Sequence, residues 1–228
     1  MKKTRNYLTI KRVSRLIMLL LFFAGYLNNV AAFIPKKAAR KLNKETKNMS
    51  NIRVLDSIFV VEMIDNVNKA LIKYNIFVFP NWEFNIPYIE TNPSMNQIEI
   101  FRGLFQSQYL DEEGIYLIIS HEVSHILGDG TGRGKCNNNR FNEDMADYAA
   151  AKNMKIFFTD PIIYSEKMNM ALTQVEHFLN RIDEIKYLKS KIKSCNGYSE
   201  KKCRLEMIRA GQNNLTIPVC GIHKNHLK

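Results

Sequence analysis

The stretch Asp111-Glu112-Glu113-Gly114-Ile115-Tyr116-Leu117-Ile118-Ile119-Ser120-His121-Glu122-Val123-Ser124-His125-Ile126-Leu127-Gly128 decides how the rest of the chain is read. Its acids suit the positive end of a helix, and Gly128 supplies a stop signal. Between them the residues are apolar nearly all round, which predicts a central, buried helix. Within it His121 and His125 are four residues apart and share one face, so two ring nitrogens can grip one metal ion. Glu122, turned by one helical step, can reach a metal-bound water without ligating the metal, as a general base must. The competing reading makes these three residues a hydrogen-bonded part of the core. Burying them together costs several kcal/mol unless something binds and neutralises them, and zinc does this directly.

A catalytic zinc takes a third protein ligand and keeps one position open. Downstream, Glu143-Asp144-Met145-Ala146-Asp147 falls on a helix expected from about Arg140 to Phe158. Glu143 and Asp147 share a face there, so one can ligate while the other accepts a hydrogen bond from the far nitrogen of a ligating histidine. Small Ala146, Ala149, Ala150 and Ala151 would let the two helices approach closely.

Together, His121-Glu122-Val123-Ser124-His125 and Glu143-Asp144-Met145-Ala146-Asp147 resemble the signature of the gluzincin metallopeptidases of the heat-shock and prenyl-protein protease group. The segments Ile98–Leu104, Asp111–Ile115 and His121–Gly128, with Ala146-Asp147-Tyr148, are also similar to uncharacterised secreted bacterial metallopeptidase-like proteins. The likeness is good over about residues 95–155 and loose elsewhere, and Ser124 stands where those relatives usually have glycine. The resemblance implies a zincin-like α+β fold, mainly helical, with a small sheet packed on the zinc-binding helix. It assigns His121, His125 and Glu143 as zinc ligands, Glu122 as the base and Asp147 as the orienting partner. The implied activity is hydrolysis of a peptide or protein substrate. In zincin folds an extended substrate pairs with the edge strand before the zinc helix, which makes Gln97–Arg102, with Ile98 and Ile100, the expected substrate platform. Tyr148, Tyr164 and His177 are open candidates for an oxyanion donor.

Outward from this centre, apolar residues at spacings of three and four predict a helix from Ser50 to about Tyr74, with Ile52, Leu55, Phe59, Met63, Val67, Ala70, Leu71 and Tyr74 on its buried face. Runs at Ile76–Phe79, Trp82–Ile89 and Gln97–Arg102, punctuated by prolines and Gly103, read as strands. A long amphipathic helix is expected from about Ser165 to Ser194, and a last one over about Ser199–Ala210. The apolar face of the long Ser165–Ser194 helix suits core packing, and a partner helix could use the same face. Gly128–Lys135 resembles a phosphate loop only superficially: Cys136 stands where Ser or Thr is needed, and a helix precedes it.

The 228 residues carry 33 Lys+Arg against 22 Asp+Glu, with 46% hydrophobic residues, which excludes wholesale disorder and a polytopic membrane protein. Six of those cations lie in the first 32 residues, leaving 27 against 22 acids, too mild an excess to argue for nucleic acid. Those cations precede the uncharged run Leu16–Phe33, and Val30-Ala31-Ala32 suits a signal peptidase, so 1–32 reads as a signal peptide cleaved after Ala32. An uncleaved anchor is the alternative, and would be the only membrane contact. Residues 33–49 read as a flexible leader and 50–228 as one metallopeptidase domain, periplasmic or secreted. Cys136, Cys195, Cys203 and Cys220 fit two disulfides in an oxidising compartment, with three pairings open; cysteine-ligated zinc is disfavoured because no CxxC pair exists. The second functional reading is an envelope binding or assembly protein with a structural, non-catalytic zinc site.

Overall fold

A buried helix needs its ends closed by something other than water, and the central helix of this protein is closed from two sides. The computed structural model describes residues 57–128, 139–182 and 201–218. In chain order these form α1 (Ser57–Leu71), β1 (Phe77–Asn81), β2 (Ile89–Asn92), β3 (Gln97–Phe101), a single-turn α2 (Arg102–Phe105), α3 (Glu112–Leu127), α4 (Asn139–Asn153), α5 (Pro161–Ile182) and α6 (Lys201–Gln212). At the start of α3, Asp111 makes no side-chain cap. Gln174 of α5 caps it instead, its Oε1 accepting from the Asp111 and Gly114 amides at 3.0 and 2.8 Å. Glu113, buried beside them, is held by Lys167 Nζ at 2.7 Å and Gln174 Nε2 at 3.1 Å. At the other end Gly128, at φ 83°, takes the left-handed conformation that closes a helix without a Cβ penalty.

Around α3 the architecture is α+β, mostly helical with one three-stranded sheet. Sheet order is β1-β3-β2, with β1 parallel and β2 antiparallel to β3. Every residue of β3 is buried, including Gln97 and Glu99, which alternate with Ile98 and Ile100. Glu99 is reached by the Asn81 amide from β1 at 2.7 Å. Leu104 and Phe105 of α2, Ile115, Leu117 and Ile119 of α3, and Met168, Ala171 and Val175 of α5 join one core with Ile98 and Ile100. Each fully buried leucine, isoleucine, methionine or phenylalanine among them contributes about 1.5–3 kcal/mol.

Several boundaries differ from those expected. The buried face of α1 is Val60, Met63, Ile64, Val67 and Leu71, whereas Phe59 is 38% exposed, and a 3-10 turn, Ile72–Tyr74, replaces the last helical turn. The segment expected as a strand at Trp82–Ile89 is mostly irregular: Phe84 and Ile86 are buried, Pro87 lacks a donor, and pairing starts only at Ile89. The long helix begins at Pro161 rather than Ser165, because Asp160 Oδ1 accepts from the amides of Ile162 and Ile163 at 2.8 and 3.0 Å and proline fits the first turn. The expected signal 1–32, the leader 33–49, the first turns from Ser50, residues 129–134 of the glycine-rich loop, and the continuation of α5 to Ser194 lie outside the described residues. So do Cys136, Cys195 and Cys220; Cys203, on α6, is disulfide-bonded. No helix among the described residues is long and apolar enough to cross a membrane.

Close helix packing is carried by small residues. Ala146, Ala149, Ala150 and Ala151 of α4 are all buried, and Asn153 Nδ2 donates to Ser124 Oγ of α3 at 2.9 Å. On the α4–α6 side, a Cβ built on Gly211 would lie 1.9 Å from the Tyr148 carbonyl oxygen. Gly211→Ala should therefore destabilise the fold by about 1–3 kcal/mol, the usual cost of overpacking, read as a lowered urea midpoint with unchanged slope.

Candidate metal centre

Helix α3 brings the two histidines onto one face, but convergence with a carboxylate requires α4. His121 Nε2 lies 3.1 Å from His125 Nε2 and 3.1 Å from Glu143 Oε2, and His125 Nε2 lies 3.6 Å from Glu143 Oε1. One ligand atom from each of the three residues falls within 4.8 Å of the others, so this group could hold a metal ion. The donor set fits a cation: two neutral imidazole nitrogens and an ionised carboxylate oxygen all offer lone pairs, and a small volume that gathers only lone pairs suits a positive centre.

Asp147, one turn after Glu143, sits on the far side of His121. Its Oδ1 is 2.8 Å from His121 Nδ1, which donates the hydrogen bond and so leaves the Nε2 lone pair pointing at the group. Only 2% of Asp147 is exposed. Burying a carboxylate so deeply demands more than one partner, and Arg204 of α6 supplies it. Its Nε donates to Asp147 Oδ2 at 2.7 Å and its Nη2 to Oδ1 at 2.9 Å.

Electrostatics follow from this crowding. Burial alone pushes the His121 imidazole down, but the Asp147 carboxylate, by charge and hydrogen bond, and then Glu143 outweigh it and raise the pKa to about 10. Burial raises Glu143, but hydrogen bonds and charge from His121 and His125 hold it well below the carboxylate range. Asp147 is likewise raised by burial and lowered overall, first by Arg204 and then by His121.

Glu122 faces the sheet. The Thr91 hydroxyl of β2 donates to its carboxylate, linking the helix to the strand that pairs antiparallel with β3. Thr91 and Arg204 both escaped the sequence reading. Neither stands in a motif; each is brought in by pairing or packing across more than thirty residues of chain.

The expected substrate platform needs correction. Strand β3, with Ile98 and Ile100, is the middle of the sheet: hydrogen-bonded on both sides, with both side chains fully buried, it has no edge to offer a substrate. The outer edge of β2 pairs with no strand among the described residues. Two of the oxyanion candidates are committed elsewhere, Tyr148 Oη donating to the Leu215 carbonyl at 2.9 Å and Tyr164 Oη to the Ala151 carbonyl at 2.8 Å. His177 is exposed on α5. Ser124, in the place where glycine was expected, is fully buried and donates to the Ser120 carbonyl at 2.8 Å while accepting from Asn153, so its hydroxyl ties α3 to α4. No protein-family model, curated protein or solved structure matches the chain.

Proton linkage gives a direct check. A His121 pKa raised to about 10 keeps the folded, metal-free imidazole protonated at all lower pH; its contribution to stability is complete below 6.5 and fades as pH rises through about 10. A divalent metal must displace the Nε2 proton. Loading the metal-free protein at pH 7.5 should thus release about one proton per chain, measured by calorimetry in buffers of different ionisation enthalpy. In His121→Ala both the release and the bound metal should disappear.

Proposed function

We propose that this chain is a zinc-dependent peptidase of the gluzincin type, with a zincin-like domain exported to the periplasm or beyond. The observation that carries this reading is the convergence of His121, His125 and Glu143 from two helices, with Glu122 next to the first ligand and hydrogen-bonded to β2. Zinc suits two imidazoles and one carboxylate, a set that leaves a coordination position for chemistry. When bound, the ion supplies a Lewis acid that acidifies water and polarises a carbonyl.

The chain's own residues divide the remaining work. Asp147 fixes the His121 tautomer and ring orientation through Nδ1. Glu122 accepts the proton of the attacking water on its carboxylate and returns it to the nitrogen of the leaving amine, so one group serves as base and then acid. An extended peptide lies along the outer edge of β2, main chain against main chain. Thr91 is then well situated: it belongs to the strand the substrate would pair with and orients the carboxylate that would receive the proton.

A structural metal site without turnover is the alternative the same ligands allow. A structural site has no use for a base beside its ligands, which favours the enzyme. Cleavage of a peptide library by the wild type and by Glu122→Gln, with zinc content measured on both, separates the two. The expected result is unchanged zinc and a loss of activity of about 10²- to 10⁴-fold in the variant. Zinc in full stoichiometry with no cleavage by either protein would instead identify a binding protein.

A further inference from the structure

The hydrogen-bond chain does not stop at Asp147. We propose that Arg204 of α6 is a positioning residue of the metal centre, setting its affinity through Asp147 and so making the C-terminal helix a working part of the site. This rests on the metal-centre reading above.

The argument begins with the geometry of the carboxylate. Asp147 Oδ1 receives two donors, His121 Nδ1 at 2.8 Å and Arg204 Nη2 at 2.9 Å, while Oδ2 receives Arg204 Nε at 2.7 Å. A carboxylate held by a single imidazole can rotate about its Cβ–Cγ bond. Clasped by a planar guanidinium fork, its plane is fixed, and with it the direction from which Oδ1 meets the histidine. His121 itself has little other support in its plane. Its remaining nitrogen is turned to His125 and Glu143, the other two members of the metal group, so Asp147 is the contact that orients the ring from outside that group.

Charge gives the second line of argument. A buried carboxylate that faces a neutral, metal-ligating imidazole needs another cation to remain ionised at low cost. Arg204 is that cation: its side chain is 16% exposed, against 2% for Asp147, so the pair is largely shielded from water. An ionised Asp147 accepts more strongly from Nδ1–H and makes Nε2 a better electron donor. Lysine could supply the charge but not the two-point grip.

The third line concerns what holds α6 in place. Gly211 packs directly on the Tyr148 backbone, one residue after Asp147. Leu205 and Ile208 enter the same core as α3. Arg204 is thus delivered by a helix that apolar packing also holds in place, beside the ion pair.

The test compares zinc affinity, by competition with a chromogenic chelator, in the full-length wild type, Arg204→Lys, Arg204→Gln, Asp147→Asn and the Arg204→Gln/Asp147→Asn double variant. Thermal melting in excess chelator reports the fold separately. Arg204→Gln should lose about 10- to 100-fold in zinc affinity, as Asp147→Asn should. Because both act on one contact, the double variant should be no weaker than the worse single. Arg204→Lys should fold and recover part of the loss, and the visible spectrum of its cobalt-loaded form should differ from that of the wild type. Wild-type affinity in Arg204→Gln, or losses that simply add in the double variant, would overturn the proposal while leaving the metal centre intact. If Arg204→Gln does not fold, wild-type affinity and an unchanged cobalt spectrum in Arg204→Lys overturn it equally. A wild type that binds no zinc removes the metal reading and this proposal together.

Discussion

A carboxylate with only 2% of its surface exposed constrains everything near it. Asp147 lies where α3, α4 and α6 meet, and removing one partner from such a buried ionic contact costs about 3–5 kcal/mol. The three helices therefore cannot slide independently: α3 presents His121 to one side of the carboxylate, and α6 presents Arg204 to both of its oxygens. The alanines of α4 and Gly211 of α6 supply the close approach that lets these short polar contacts form. Packing and electrostatics thus enforce the same arrangement, and the His121, His125 and Glu143 group is its product.

The second junction joins helix to sheet. Thr91 reaches Glu122 from β2, so the carboxylate proposed as base is oriented by the same edge strand that the proposed substrate would extend. Placing β3 in the middle of the sheet moves that role from Ile98 and Ile100 to the neighbouring strand. The correction has a simple origin. A strand buried on both faces and one half-buried at an edge both read as short apolar runs, and only hydrogen-bond partners distinguish them. In β3, Gln97 and Glu99 alternate with Ile98 and Ile100 as they would in a strand with one wet face, yet all five residues are buried.

Helix ends show a similar division. Gly128 was readable as a stop because its left-handed φ is a property of glycine itself. The start of α3 was readable from Glu112 and Glu113, yet the atoms that satisfy its amides belong to Gln174, sixty residues away. For α5 the reverse holds: Asp160-Pro161 is a local start signal that lies ahead of the periodic apolar pattern. In α1 the 3.6-residue period was right and its phase slightly wrong, since Val60 and Ile64, rather than Phe59, turn inward.

What the sequence determined by itself is whatever depends on spacing within one helix. His121 with His125, and Glu143 with Asp147, are each four residues apart, and helical geometry puts each pair on one face before any tertiary contact forms. Tertiary structure decided how the pairs meet: that Glu143 turns to the histidine nitrogens, that Asp147 takes the opposite nitrogen of His121, and that Arg204 and Thr91 complete the surroundings. The reason is physical. A helix fixes side-chain directions over one or two turns, whereas contacts between elements depend on burying apolar faces against one another, and no local spacing records which faces those will be.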